Sequence, residues 1–208
     1  MNTIKTITLS LLSLLSITLH AQSFKEPIAY KLNNGMNIII SENNRSPKAY
    51  ASFTLDKNAY SNKKDGIVEL LNAVLNESIG KSNNLIFNDN SGKIATAADG
   101  FDKELNDMAS LLQNAGIDEK TFNTAKTKLL LSLKLQDYDY DQTVNNNSIN
   151  NLTFADVKDF YNQISPEKTF LTIAGDIDLI SAKASAKKAF GNWNNSNKQK
   201  HSVATIAK

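Results

Sequence analysis

Between Asp65 and Gly80 the chain carries Ile67, Val68, Leu70, Leu71, Val74, Leu75 and Ile79 at helical spacing, a wide apolar stripe along one helix. A helix of this length is not stable alone in water, so the stripe must be buried against something. The residues upstream supply the surface. Residues 28–32 and 36–41 are apolar, β-favouring runs joined by Asn33-Asn34-Gly35, a hairpin signal because Asn and Gly tolerate positive φ. Residues 50–55 set Tyr50, Ser52 and Thr54 against Ala51, Phe53 and Leu55, the alternation of a strand with one buried face. Helix laid on sheet is the arrangement that follows.

The remaining pattern extends it. Asp65 is placed to cap the first helix and Gly80 to stop it. Residues 81–92 are rich in Asn and Ser and read as a loop, followed by a short strand at 94–98. Two amphipathic helices follow. The first, 102–114, turns Leu105, Met108, Ala109, Leu111 and Leu112 inward; the second, 118–135, turns in Phe122, Ala125, Leu129, Leu130 and Leu133. Residues 137–151 read as polar and exposed. Thr153 and Asp156 have the spacing of a capping box, opening a helix that carries Val157, Phe160 and Tyr161. A strand at 169–174, a Gly175-Asp176 turn and a helix at 178–190 complete the domain, with Trp193 packing near its end. The reading is α+β: a mostly antiparallel sheet covered by helices on one face, spanning residues 22–193, with a flexible tail at 194–208.

Composition excludes much chemistry. Lys and Arg number 23 against 21 Asp and Glu, a balance that builds no nucleic-acid groove. There is no cysteine, which removes disulfides, thiolate metal sites and cysteine nucleophiles. The histidines are His20 and His201. Residues 1–21 have one early cation, Lys5, an apolar and hydroxyl-rich run and a closing Ala21, the layout of a secretory signal peptide. The run is too short and too rich in Ser and Thr for a membrane span, so the mature chain is expected in the periplasm or outside the cell, with no further membrane segment and with neither histidine inside its domain.

Three stretches carry a family resemblance. Tyr30 to Ile39 is similar to the first hairpin of the insulinase/pitrilysin family of zinc metallopeptidases, which includes the mitochondrial processing peptidases and respiratory-chain core proteins. Gly66 to Leu75 resembles that family's active-site helix. Leu152 to Tyr161, Leu171-Thr172-Ile173-Ala174-Gly175-Asp176 and Phe190-Gly191-Asn192-Trp193 resemble its closing helix, strand, Gly-Asp turn and helix. Active members bear an inverted zinc motif, His-x-x-Glu-His, whose histidines hold the metal and whose glutamate activates water. Laid on this sequence, the histidine positions fall on Glu69 and Ala73 and the base on Asn72. The later helix that should provide a third ligand offers Ser132, with no acid over 122–133. The resemblance therefore implies a single half-unit of the processing-peptidase type that lacks the catalytic site, with no zinc and no other cofactor. It also implies loss of a strand pair between the first helix and Thr153, where the chain is short.

Such half-units work in pairs, so a related peptidase subunit, a second copy or a bound peptide is the expected partner. A stand-alone structural or binding protein, a fragment of a two-half peptidase and a degraded gene product are the alternatives. Other patterns have plainer readings. Asp137-Tyr138-Asp139-Tyr140-Asp141 starts like a calcium loop, but Gln142 and Ser148 stand where Gly and Glu are needed. Glu69 and Glu77 read as an exposed helix face. Lys183, Lys187, Lys188, Lys198 and Lys200 are diluted by Asn, Ala and Ser and read as solvated.

Overall fold

The computed structural model describes residues 25–60, 63–80, 84–135 and 143–194. The expected leader with His20, the acidic run 137–141 with Gln142, and tail residues 195–208 with Lys198, Lys200 and His201 lie outside the described residues. Strands β1 (Ile28–Lys31), β2 (Asn37–Glu42) and β3 (Lys48–Leu55) precede helix α1 (Ile67–Ile79). The hairpin β4 (Leu85–Asn88) and β5 (Ser91–Ala97) follows, then helices α2 (Phe101–Asn114), α3 (Glu119–Leu135), α4 (Asn146–Asn150) and α5 (Phe154–Gln163). Strand β6 (Thr169–Gly175) and helix α6 (Leu179–Phe190) close the domain. The strands form one sheet in the order β1-β2-β6-β3-β5-β4, antiparallel except where β2 meets β6.

Period-two alternation places the core. Ala49, Ala51, Phe53 and Leu55 of β3 are buried while Lys48 and Tyr50 are exposed, and β5 and β6 alternate likewise. The buried rows meet the apolar faces of the helices in one core cluster running from Leu32 to Trp193. The α+β layout read from the sequence is the one observed.

Local chemistry sets two of the helix starts. Thr153 and Asp156 form the capping box of α5 in both directions, and Asp178 caps α6 by accepting from the Ile180 and Ser181 amides. The end of α2 is held from outside: the Tyr161 hydroxyl donates to the Leu111 carbonyl at 2.9 Å and accepts from the Ala115 amide at 2.7 Å. Burial pushes this phenol up to about 12.

Four expectations need correction. Asp65 does not cap α1; Gly66 occupies that position with φ 80°. The loop expected at 81–92 contains β4 and the start of β5, so a strand pair is present where one was expected to be lost. The strand expected at 94–98 begins three residues earlier, at Ser91. Within 137–151, α4 opens on an Asn145 and Ser148 capping box and buries Ile149 completely. Two of these corrections share one contact between distant segments, Gly66 against Ile149.

The C-terminal end is anchored to the first hairpin. Phe53, Phe190 and Trp193 pack with ring centroids 6.0 to 6.3 Å apart, and Asn34 in the hairpin turn donates to the Phe190 and Trp193 carbonyls at 2.7 and 2.8 Å. Trp193→Ala is expected to cost about 3–5 kcal/mol through the cavity left behind, read as a lower urea midpoint with an unchanged slope.

Candidate functional site

The site region is helix α1 and the sheet edge beside it. The helix begins abruptly because Gly66 is left-handed and close-packed: a Cβ there would sit 2.5 Å from Ile149 Cδ1 of α4, so no other residue fits without strain. Two residues earlier, Lys64 Nζ lies 2.7 Å from Asp156 Oδ1. The Lys64 ammonium, together with the Thr153 amide, holds the Asp156 carboxyl down at about 2. The loop entering α1 is thus pinned to α4 by packing and to α5 by charge.

Glu69, Asn72, Ala73 and Asn76 recur at positions that share one face of α1. Asn72 is only 8% exposed and donates from Nδ2 to the Asp89 carbonyl at 2.7 Å. Asn76 behaves as a piece of strand: its Nδ2 donates to the Phe87 carbonyl and its Oδ1 accepts from the Phe87 amide, both at 2.8 Å. β4 is the edge strand, and the outward backbone groups of Phe87 and Asp89 would otherwise be a template for another chain. Two helix amides occupy them. Asn76 was not singled out in the sequence; an Asn four residues after Asn72, on the same face, was the available signal.

Helix α3 packs on α1, and Lys128 Nζ meets Glu77 Oε2 at 2.6 Å across the joint. Glu77 is therefore an interhelix partner and not an exposed face residue. The Ser132 hydroxyl turns back to the Leu129 carbonyl of its own helix at 2.9 Å. The single acid of α3 is Glu119, in its first turn. Glu69 and Ala73 are half-buried beside Asn72. Together these positions offer a carboxylate, an engaged amide and a methyl, a donor set that does not fit zinc. Among the described residues no three His, Cys, Asp or Glu side chains converge. Of the basic residues, Lys183 lies over the Tyr30 ring and Lys188 approaches Asp102 at 3.9 Å.

The sheet face turned away from the helices carries a shallow groove of about 400 Å³, lined by Tyr50, Ser52, Ile86, Lys93, Thr172 and Ala174 among others. Tyr50 and Ile86 are 39% and 52% exposed. They are the two large side chains of this face that stay most open to water. Among the described residues no helix is long and apolar enough to cross a membrane.

The profile of the Peptidase M16 inactive domain matches residues 151–207, from the entry to α5 through β6 and α6. The fold is that of an M16 peptidase half-unit. A protease from Helicobacter pylori superposes with TM-score 0.69 at 15% identity, covering 83% of this chain and 52% of that one. The periplasmic protease PqqL from Escherichia coli gives 0.69 at 11% identity, over 85% of this chain and 25% of PqqL. A peptidase M16 inactive domain from Pseudomonas fluorescens gives 0.61 at 16% identity, over 79% and 50%. M16 is the insulinase/pitrilysin family, so the resemblance drawn from the sequence holds, and the chain spans about half, or a quarter, of the length of these structures. A search of curated proteins gives no match.

Two measurements check this region. Asn76→Ala leaves the Phe87 amide and carbonyl unpaired, and is expected to cost about 1–3 kcal/mol and to speed hydrogen exchange at the Phe87 amide. The Asp156 carboxyl, lowered from 3.8 to about 2, contributes stability that is present above its unfolded value and lost as pH falls through the folded one. Asp156→Asn should therefore lower the melting temperature at neutral pH and flatten its decline between pH values of about 4 and 2.

Proposed function

We propose that this chain is a non-catalytic M16-type half-unit, exported through residues 1–21, that works as the partner of a related subunit or as a peptide-holding module. The observation that carries the reading is the donor set of α1. Glu69, Asn72 and Ala73 stand at the spacing of the inverted zinc motif, yet a methyl cannot ligate a metal and an amide cannot take a proton from water. The Asn72 amide is in addition committed to the Asp89 carbonyl, and no histidine occurs between residues 22 and 200. The scaffold is kept and the chemistry is gone, so no zinc and no other cofactor belongs to this reading.

Two further observations support a role in assembly and export. The chain covers 52% of the Helicobacter pylori protease, and its sheet leaves Tyr50 and Ile86 exposed on the face away from the helices, a surface a second unit would cover. PqqL, which shares the fold, is described as periplasmic, in keeping with a leader at 1–21.

The test is metal analysis of the protein purified from a periplasmic fraction, combined with a peptidase assay on quenched fluorescent peptides. Expected are a mature N-terminus at Gln22 by mass measurement, zinc far below one ion per chain, no cleavage, and a melting temperature indifferent to chelator. One tightly held zinc per chain, or cleavage abolished by chelator and restored by a divalent ion, would overturn the non-catalytic reading. A chain retaining Met1 would overturn its export.

A further inference from the structure

Asn34-Gly35 is the single Asn-Gly pair of the sequence. In such a pair the Asn side chain is open to attack by its own backbone, because glycine puts no Cβ beside the attacking nitrogen, and Asn is a thermolabile residue. The glycine is held in place by the fold: Gly35 sits at φ 89°, and a Cβ there would lie 2.6 Å from Glu167 Cγ. The Asn34 side chain serves as a clasp. Its Nδ2 donates to the Phe190 carbonyl at 2.7 Å and to the Trp193 carbonyl at 2.8 Å, and its Oδ1 accepts from the Met36 amide at 3.3 Å. The Gly35 amide donates to the Leu32 carbonyl at 2.9 Å. Two hydrogens on one nitrogen thus meet two carbonyls at the end of α6, a match that a carboxylate, which only accepts, does not make.

We propose that Asn34 is a deamidation site gated by this clasp. The Gly35 nitrogen forms a bond to Asn34 Cγ; Nδ2 leaves with the proton that Gly35 gives up, as ammonia, and a five-membered succinimide remains. Water then opens the ring. Attack at Cγ gives aspartate at position 34, and attack at the backbone carbonyl gives isoaspartate. In the closed clasp both nitrogens are engaged, the Gly35 amide on Leu32 and the Asn34 amide on Phe190 and Trp193, so the side chain is not free to turn toward the Gly35 nitrogen. When the Phe190 to Trp193 end lifts, it is. The change is one-way: the product carboxylate has no hydrogen to donate, and closing the clasp again would set an anion against two carbonyl oxygens. The site therefore converts openings of the C-terminal end into a permanent weakening of its anchor.

The experiment incubates the full mature chain in mildly alkaline buffer and follows residue 34 by peptide mapping, through the mass gain of about 1 Da from amide to acid. Conversion at least about tenfold faster in urea than in the native chain is expected, with Trp193→Phe, which loosens the anchor, falling between them. Asn76→Ala weakens the opposite edge of the sheet and should leave the rate within about twofold of the parent, because the opening that matters is local. Asn34→Asp, made directly, should lower the melting temperature and speed hydrogen exchange at the Trp193 amide, which donates to the Phe190 carbonyl at 3.0 Å. Phe190→Leu takes the place of Trp193→Phe should that variant fail to fold. No conversion in urea, equal rates in the native and urea-unfolded chains, equal acceleration by Asn76→Ala and Trp193→Phe, or parental melting and exchange in Asn34→Asp would each overturn the proposal.

Discussion

Everything in this domain depends on β6 lying between β2 and β3. β2 pairs only with β1 and β6, and β3 only with β5 and β6, so without residues 169–175 the first hairpin has no link to the rest of the sheet. β6 closes contacts between the start and the end of the domain, which costs loop entropy before it is rewarded and makes slow, late-closing folding the expectation. Its last residue has no substitute. Gly175 sits at φ 108°, and a Cβ there would lie 2.2 Å from the Lys48 carbonyl. The segment matched by the M16 inactive-domain profile is the segment that contains this strand.

Once the sheet is closed, α1 is held from three sides. Its start is set by Gly66 against Ile149 and by Lys64 on Asp156, its flank by Glu77 on Lys128, and its polar face by Asn72 and Asn76 on the β4 edge. The face that resembles a catalytic one in the family is used here as a structural joint. That joint also protects an edge strand, which otherwise recruits further strands. The open side of the sheet is not covered by any helix and carries the groove lined by Tyr50 and Ile86.

Much of this was legible in the sequence because it is local. The Asn33-Asn34-Gly35 turn, the apolar stripe of α1, the Thr153 and Asp156 capping box and the Gly175-Asp176 turn each lie within a few residues, and their periodicity or hydrogen bonding suffices to specify them. β4 escaped because its apolar run is short, and α4 because its packing partner is far away in the chain. Leu85-Ile86-Phe87 is a short apolar run amid Asn and Ser, and it becomes a strand only because β5 pairs with it and Asn76 covers its outer edge. Val144 and Ile149 are the only aliphatic residues in a polar stretch, and Ile149 packs on Gly66, far away in the chain. Asp65 had the chemistry of a cap, but the contact between Gly66 and Ile149 set the helix start instead.

By itself the sequence determined the class of fold, the helix and strand faces, and the loss of histidine from every position a zinc site would need, since these depend on residue identity and short-range spacing. The tertiary structure decided what replaced that site. Only folding brings the Asn72 and Asn76 amides onto the Phe87 and Asp89 backbone, and only the strand order sets Tyr50, Ile86 and Lys93 along one shallow groove. Side chains on separate strands become neighbours through pairing register, which no stretch of the chain carries alone.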